Sequence, residues 1–343
     1  MKFGLVYCLQ APQREQLSQL YQDFLEQGLL AEKTGYDNVL VCEHHFTDDG
    51  YFSKPLSCIT GLAALTRKIR VGTGVLLLPL YNPVHLAEEA ATIDVMSSGR
   101  LILGIGQGYR QEEFDAFGIP LKERWSRIEE GTKIIRGLWS QESFSFSGRH
   151  FKLPSVNLTP KPIQKPNPPI WVAAKSEAAV RRAARIGDAW FADPVTPLAV
   201  LKDRYHAYRD ALKKIGKDFR KIERPLFREA YVSRDRDSAW DESKKHVLYI
   251  YEHYYAWGHL LDEQGKAVKP GESSYEEFVD KLQKRFIMGS PDDCIAEIEK
   301  YKKELDVTQI VYRIAFPAMS HKKIVEAIKL FAEKVNPYFA DAS

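Results

Sequence analysis

The chain has 343 residues, of which 44% are hydrophobic and 28% are charged, an ordinary composition for a soluble globular protein with a large buried core. The formal net charge is +3 and both signs are interspersed, so the charge gives no support to nucleic acid as a partner. There is no signal-peptide pattern and no stretch of the ~18 apolar residues that a spanning helix needs, so we expect no membrane partner.

Apolar runs and amphipathic stretches alternate from the N-terminus. The first part of the chain predicts strand 3–8, helix 16–33, strand 38–42, helix 55–66, strand 69–78, helix 83–96 and strand 101–105. The remainder predicts helices 112–117 and 123–139, strand 169–174, helix 177–186, strand 189–192, helix 198–214, strand 227–233, helix 238–257, helix 292–304, strand 309–315 and helix 321–335.

Two further segments carry no regular pattern. Residues 143–169 hold six prolines, which predicts an irregular excursion on the surface. Residues 258–274 are polar and contain glycine, so this segment is a candidate mobile lid.

Eight strands that alternate with helices predict a parallel sheet. We expect a (β/α)₈ TIM barrel, formed by residues 1–343 as one domain, with insertions after strands four and seven. The alternative is an open, doubly wound sheet. Polar residues collect at the carboxyl ends of the strands throughout, which favours the barrel, and both architectures place their sites at those ends.

The four cysteines, Cys8, Cys42, Cys58 and Cys294, match no zinc or redox spacing. Three of them lie in apolar segments, as free buried thiols do, so we expect a reducing, cytoplasmic setting.

A pair of histidines, His44 and His45, follows the second predicted strand. Adjacent strand residues point to opposite faces, so the two are poorly placed to share one ion, and we predict no metal site. One of them is a candidate general base. A hydrogen-bonded structural pair at the end of a strand is an alternative of equal weight.

Three further groups of residues could bind a ligand. The glycine-rich segment 104–110 would let a flat ligand approach the backbone, although its spacing by itself favours a tight turn that merely needs glycine. Ser176 and Lys175 precede a predicted helix and could bind a phosphate, or Ser176 could simply cap that helix. Arg124 and Arg127 could contact a phosphate bidentately or lie on a solvated face.

Aromatic residues near the predicted strand ends suggest an apolar or aromatic substrate, although such residues belong more often to a core. They are Phe46, Tyr51, Tyr81, Tyr109 and Trp190.

A set of segments, taken in order, resembles the bacterial luciferase-like monooxygenase family. The segments are residues 42–47, 71–79, 82–84, 94–101, 113–118, 168–174, 289–294 and 335–338. The resemblance covers nearly the whole chain and needs almost no gaps in the N-terminal half. Each motif is loose by itself, and the ordered set is specific.

The resemblance implies a barrel that binds FMN, or in one branch a deazaflavin, at the carboxyl ends of its strands. In the luciferase branch a separate reductase supplies reduced FMN, and O₂ adds to the flavin to give a peroxide that attacks a small organic substrate. The position of His44 matches the active-site histidine of the family and implies a general base. The family also implies a homodimer.

The resemblance also implies a set of cofactor-binding residues. Thr73 and Gly74 match a strand end that supports the isoalloxazine ring, where the family often has a non-prolyl cis peptide. Ser176 matches a phosphate contact, with the backbone of the two preceding residues beside it. The cofactor-binding set that we predict is Thr73, Gly74, Gln107, Tyr109, Arg124, Arg127, Ala174, Lys175 and Ser176.

The sequence departs from luciferase at two positions. Gln107 and Trp125 stand where luciferase has phosphate-binding arginines. Arg124, Arg127 or Lys175 could compensate for this loss of charge. The departures keep a deazaflavin open as the cofactor and argue against light emission from a long-chain aldehyde.

Three functions follow as hypotheses. The leading one is a two-component, FMN-dependent monooxygenase that acts on a small organic molecule. The second is a deazaflavin-dependent dehydrogenase or reductase that transfers hydride. The third is a non-catalytic flavin-binding or dimer-partner subunit. A metal-dependent hydrolase is disfavoured by the missing ligand spacing.

Overall fold

The computed structural model describes residues 1–268, 279 and 281–340. The strands are β1 (Lys2–Tyr7), β2 (Asn38–Val41), β3 (Arg70–Thr73), β4 (Leu76–Leu77), β5 (Leu101–Gly106), β6 (Phe144–Ser147), β7 (Lys152–Val156), β8 (Ile170–Ala173), β9 (Ala189–Phe191), β10 (Pro225–Val232), β11 (Ile287–Gly289) and β12 (Gln309–Arg313). The helices are α1 (Leu17–Lys33), α2 (Pro55–Leu65), α3 (Pro83–Met96), α4 (Gln111–Ala116), α5 (Arg124–Ser140), α6 (Glu177–Ile186), α7 (Leu198–Lys214), α8 (Arg236–Ala256), α9 (Pro291–Leu305) and α10 (His321–Leu330).

A curled parallel sheet of ten strands has eight of them in the order β10, β12, β1, β2, β3, β5, β8 and β9. The other two, β11 and β4, pair with β10 and β5. A parallel bridge between Ala192 and Leu226 joins the two ends of this order. In that bridge the Ala192 N–H donates to Pro225 O at 3.2 Å, and Phe227 N–H donates to Ala192 O at 3.0 Å. The sheet therefore curls until its two ends meet at this bridge, which confirms an α/β fold with a curled parallel sheet and disagrees with the open, doubly wound alternative.

Buried strands explain why the sequence pattern was readable. Residues of β2, β5 and β10 are buried without exception, and parallel strands covered on both faces read as continuous apolar runs. Gly104 of β5 has a packing reason of its own. A Cβ atom there would lie 1.9 Å from Thr73 O, so only glycine lets β3 and β5 come this close.

The prediction of one continuous strand over residues 69–78 is wrong. The segment divides into β3 and β4 at Gly74 and Val75, which are joined by a cis peptide bond. Both halves pair with β5, so the interruption turns the chain without detaching it from the sheet. The family resemblance implied such a bond at this strand end, and the structure contains it.

The predicted irregular segment 143–169 also needs correction. It contains an antiparallel hairpin of β6 and β7, in which Phe144 pairs with Val156. Pro154 lies inside β7, which is tolerated because each strand of a two-stranded sheet is an edge strand. Phe144 packs against Gly137 of α5, where a Cβ atom would lie 2.2 Å from its ring. The prolines therefore hid a short hairpin that docks on a helix.

The candidate lid 258–274 is described only up to residue 268, and residues 269–274 lie outside the described residues. Within the described portion Leu261 and Ala267 form an antiparallel bridge, and Leu260 is fully buried. The mobility of this segment stays a prediction. In the part of the chain that the structure describes, no helix is long and apolar enough to cross a membrane.

Candidate active site

A cavity of about 320 Å³ lies at the carboxyl ends of the barrel strands, where enzymes of this architecture place their active sites. Its volume is within the roughly 300–1,000 Å³ range of small-molecule sites. Its lining residues come mainly from the ends of β2, β3, β5, β8 and β9, from the last turn of α8 and from the segment after it. They include Cys42, Glu43, His44, Tyr51, Gly74, Val75, Gly106, Gln107, Tyr109, Ala174, Lys175, Phe191, Asp193, Tyr254, Trp257 and His259.

His44 lies on the wall of this cavity between a carboxylate and a phenol. Its Nδ1 is 2.8 Å from Glu113 Oε1, and its Nε2 is 3.2 Å from the Tyr109 hydroxyl oxygen. A carboxylate only accepts hydrogen bonds, so Glu113 selects the tautomer with the proton on Nδ1. Nε2 then has a lone pair that accepts the Tyr109 hydroxyl proton or a proton from a bound ligand.

Glu113 is buried on α4 and is ionised by its surroundings. Besides His44, its Oε1 accepts the His45 backbone N–H at 2.9 Å, and Arg110 Nη1 lies 3.5 Å away. Burial by itself would raise the pKa of the Glu113 carboxyl, but the hydrogen bond and charge of His44, the His45 N–H and Arg110 outweigh it and hold that pKa below its usual value. The carboxylate thus positions His44 as a charged acceptor.

His45 has different hydrogen-bond partners from His44. Its Nε2 is 2.9 Å from Glu43 Oε1, which also accepts the Tyr81 hydroxyl at 2.5 Å. The other oxygen of Glu43 accepts the Leu77 backbone N–H at 2.5 Å. Glu43 lines the cavity, but its oxygens are occupied by these three groups. His44 faces the cavity, and His45 belongs to a hydrogen-bonded cluster that fixes the strand end.

The residues after α8 cover the cavity. The His259 ring stacks on the Tyr109 ring, with centroids 4.0 Å apart and an interplanar angle of 13°. The amine of Lys175 donates to His259 O at 2.7 Å and lies 3.3 Å from His259 Nδ1. Trp257 packs 5.2 Å from the His44 ring, and Arg110 lies 4.5 Å over its indole. Beneath this cover His44 is only 6% exposed.

The cover also contains an unusual cation. Burial lowers the pKa of the Lys175 amine, with a partial offset from the nearby charge of Asp193. Burial lowers the pKa of His259 well below its usual value, and the charges of Lys175 and His44 lower it further. His259 is therefore neutral, and Lys175 is the cationic side chain that lines this cavity.

The floor of the cavity is built from glycines. A Cβ atom on Gly74 would lie 2.9 Å from Leu40 Cβ, and one on Gly106 would lie 2.6 Å from Val75 Cγ2. Gly108 has a φ of 71°, in the left-handed region that favours glycine. The tight-turn explanation therefore holds for Gly108, whereas Gly104 and Gly106 lie in β5 and are required there by close packing. Gly106 and Gly108 line the cavity. Gln107 Oε1 is buried there without a hydrogen-bond partner within the described part of the chain.

The structure brings together six of the residues that the sequence predicted for the site. They are His44, Gly74, Gln107, Tyr109, Ala174 and Lys175. Thr73 instead donates its hydroxyl to Gly104 O at 2.6 Å and supports the strand pair beneath the site. Ser176 is exposed, and its hydroxyl caps α6 by accepting from Ala179 N–H at 3.3 Å.

Arg124 and Arg127 are not brought to the cavity lining. Arg124 Nη1 donates to Leu121 O at 2.9 Å, within its own turn. Arg127 pairs with Glu123 at 3.0 Å and lies 5.6 Å over the Phe151 ring. Both guanidinium groups serve the start of α5 and the adjoining hairpin. Their contact with a phosphate stays a prediction that this geometry does not support.

The predicted pocket aromatics divide in the same way. Tyr51 and Tyr109 line the cavity. Phe46 is 63% exposed, and Tyr81 donates to Glu43. Trp190 donates its indole N–H to Ala174 O at 2.9 Å from behind the wall.

Sequence reasoning missed several residues of this site. Glu113, Trp257 and His259 lack any assigned role in the sequence pattern, although Glu113 lies in a segment that resembles the family. One signal for Glu113 was available. It is a charged residue in the first turn of the short helix α4, directly before Phe114, and both side chains are buried. The described residues contain no group of three or more potential metal ligands.

Comparison with known proteins gives a consistent assignment. The family model of luciferase-like monooxygenases matches residues 1–308. The oxygenase component of flavin-dependent trigonelline monooxygenase from Acinetobacter baylyi is 30% identical over 268 residues, 75% of this chain and 72% of that protein. The F420-dependent glucose-6-phosphate dehydrogenase of Amycolatopsis mediterranei is 27% identical over 293 residues, 82% of this chain and 85% of that protein.

A solved structure agrees with both. The crystal structure of the monooxygenase RslO1 from Streptomyces bottropensis superposes with a TM-score of 0.86 at 26% identity, and the match covers 99% of this chain and 100% of that one. Because the family model spans most of the chain and its fold is shared over the full length, this protein belongs to the luciferase-like monooxygenase family and is an oxidoreductase of that flavin-dependent family.

Proposed function

We propose that this protein is the oxygenase component of a two-component monooxygenase, which takes reduced FMN from a separate reductase and uses O₂ to oxidise a small organic substrate. The observation that carries the proposal is a histidine on the cavity wall, with Nδ1 held by a buried carboxylate at 2.8 Å and Nε2 facing a phenol. The similarity to a protein named as an oxygenase component supports the division of labour with a reductase.

The cavity residues fit a flavin. Gly74 and Gly106 line the cavity and have no side chain that would obstruct a planar ring. The unpartnered Gln107 Oε1 is an acceptor that a polar ring edge can satisfy. Lys175 and the exposed hydroxyl of Ser176 supply a cation and a donor for the phosphate. When bound, the reduced flavin supplies the electrons that activate O₂.

The chain's own residues then manage position, water and protons. Glu113 holds His44 with Nε2 directed at the Tyr109 hydroxyl, so His44 can take a proton at Nε2 and return it. Trp257 and His259 close over this wall and exclude water, which protects reactive oxygen chemistry. We propose His44 as the general base and Glu113 as the residue that positions it.

The test is an anaerobic titration of the pure protein with reduced FMN and, separately, with reduced deazaflavin. An oxygen pulse follows, monitored by absorbance. We expect reduced FMN to bind and its re-oxidation to pass through an absorbing species that free FMN does not show. Binding of deazaflavin alone, with no reaction on the oxygen pulse, would show the proposal to be wrong.

A second candidate is a deazaflavin-dependent dehydrogenase that transfers hydride and does not react with O₂. Two observations favour it: the similarity to an F420-dependent dehydrogenase, and the absence of the two luciferase arginines at Gln107 and Trp125. The same titration separates the two candidates, because only one flavin would bind.

We also propose three features of organisation. The chain acts as one domain, with insertions into the basic barrel after its fourth and seventh strands. The first contains the β6–β7 hairpin, and the second contains the cavity cover. Two copies form a homodimer, which light scattering would detect.

A further inference from the structure

Two cysteines lie side by side beneath the cavity. Cys8 follows β1 and Cys42 follows β2, and the hydrogen bond from Cys42 N–H to Tyr7 O, at 2.9 Å, continues the ladder between the two strands. Their Sγ atoms are 2.9 Å apart. Neighbouring strands lie about 4.8 Å apart, which is inside the range of Cα separations that a disulfide spans. The backbone is therefore already placed for a bond between them.

A buried cation lies beside one of the two sulfurs. Arg313 Nη1 is 3.2 Å from Cys8 Sγ and 3.1 Å from the Tyr254 hydroxyl oxygen. The guanidinium also pairs with Glu229, through Nε to Oε2 at 3.0 Å and through Nη2 to Oε1. Arg313 and Glu229 are both completely buried. The rigid cation favours the negatively charged form of the Cys8 sulfur.

The two thiols consequently differ. Burial by itself would raise the pKa of the Cys8 thiol, but its hydrogen bond with Cys42 and the charge of Arg313 lower it to about 6. Burial and the neighbouring Cys8 raise the pKa of the Cys42 thiol well above its usual value. Arg313, 3.2 Å from Cys8 Sγ, thus favours the thiolate at Cys8 over one at Cys42, which is the arrangement of a nucleophilic and a resolving cysteine.

The pair also has a route to small solutes. Cys42 lines the cavity, and its Sγ lies 3.0 Å from Gly74 O on the floor. Tyr254, which contacts the same arginine, lines the cavity too. Hydrogen peroxide that enters the cavity meets Cys42 on its wall, and Cys8 Sγ lies 2.9 Å from Cys42 Sγ.

We propose that Cys8 and Cys42 are a peroxide-sensitive dithiol that closes to a disulfide. The Cys8 thiolate attacks one oxygen of hydrogen peroxide, the O–O bond breaks, and the leaving hydroxide takes up a proton to give water. The sulfur of Cys42 then attacks the resulting sulfenic acid, and a second water leaves as the S–S bond forms. The two sulfurs lose two electrons in total, and the peroxide gains them. An external dithiol reverses the bond by exchange.

Two other cysteines provide internal controls. Cys58 is more exposed than either member of the pair, but burial raises the pKa of its thiol to about 11, so it stays protonated at neutral pH. Cys294 is buried, and burial also raises the pKa of its thiol. Oxidation that followed exposure would therefore begin at Cys58, and oxidation that followed our proposal would begin at Cys8.

The experiment uses the full-length protein without added flavin, so its result is independent of the proposed function. The reduced protein is exposed to hydrogen peroxide at neutral pH, denatured and alkylated, and its mass and cysteine peptides are measured. Of the four free cysteines, we expect alkylation of Cys58 and Cys294 only, with a linked Cys8–Cys42 peptide that dithiothreitol separates. The Cys58→Ser variant should form the same linked peptide.

Two outcomes would overturn the proposal. One is full alkylation of all four cysteines after a peroxide dose that oxidises glutathione completely. The other is oxidation of Cys58 before any linked peptide forms. In the Cys42→Ser variant we expect a sulfenic acid at Cys8 that dimedone traps, and the wild-type measurement decides the matter if this variant does not fold.

Discussion

The substitution Glu113→Gln tests how the site orients its histidine. Glu113 Oε1 accepts from His44 Nδ1 at 2.8 Å and from His45 N at 2.9 Å. Glutamine keeps an oxygen acceptor of the same shape and removes the charge. A charged acceptor contributes roughly 1 kcal/mol more per hydrogen bond than a neutral one, so the two bonds lose about 2 kcal/mol. If that stabilisation is needed when His44 takes up a proton, turnover falls roughly 10- to 100-fold.

The assay measures substrate-dependent O₂ consumption with reduced FMN from a reductase, together with the dissociation constant of reduced FMN. We expect kcat to fall and FMN binding to stay unchanged, because Glu113 does not line the cavity. Glu112→Gln is the matched control, since the side chain of Glu112 is 71% exposed one residue away. Equal kcat in the two variants would refute the positioning role.

The same substitution should also change how the free energy of unfolding depends on pH. The pKa of Glu113 lies below its usual value in the folded protein, so its ionised form stabilises the fold above the pKa of the unfolded carboxyl. That contribution is lost as the pH falls through the folded-state pKa. Glutamine cannot ionise, so the difference in unfolding free energy between wild type and variant should be largest near neutral pH and shrink below about pH 4. A difference that is constant from neutral to acid pH would contradict this.

Three further substitutions test other parts of the site. His44→Ala should lower kcat about 10²- to 10⁴-fold and spare FMN binding, and His85→Ala, whose side chain is 83% exposed, should change neither. Lys175→Met should raise the dissociation constant of FMN but not that of riboflavin, which lacks the phosphate; equal changes for both ligands would exclude a phosphate contact. Glu229→Gln leaves the buried Arg313 without its counter-charge and should lower the free energy of unfolding, measured in urea, by about 3–5 kcal/mol. A smaller decrease would show that other groups neutralise that arginine.

Local patterns in the sequence determined the order of the barrel strands and the position of His44. Strands such as Asn38–Val41 are buried on both faces, so their apolar residues run together and are visible without a structure. His44 follows that strand, which by itself puts it at the carboxyl end of a barrel strand. The sequence did not predict the hairpin within residues 143–169, because prolines normally exclude a strand but are tolerated in edge strands.

Only the tertiary structure decided what His44 contacts. Glu113 is 69 residues away along the chain, and Trp257 arrives from a segment after the seventh barrel strand. Cys8 and Arg313 are 305 residues apart and meet because β12 pairs with β1 when the ring closes. Periodicity reports which face of an element is buried, but contacts between distant elements depend on strand register and on the curl of the whole sheet. The site's pairings therefore became visible only when the barrel was assembled.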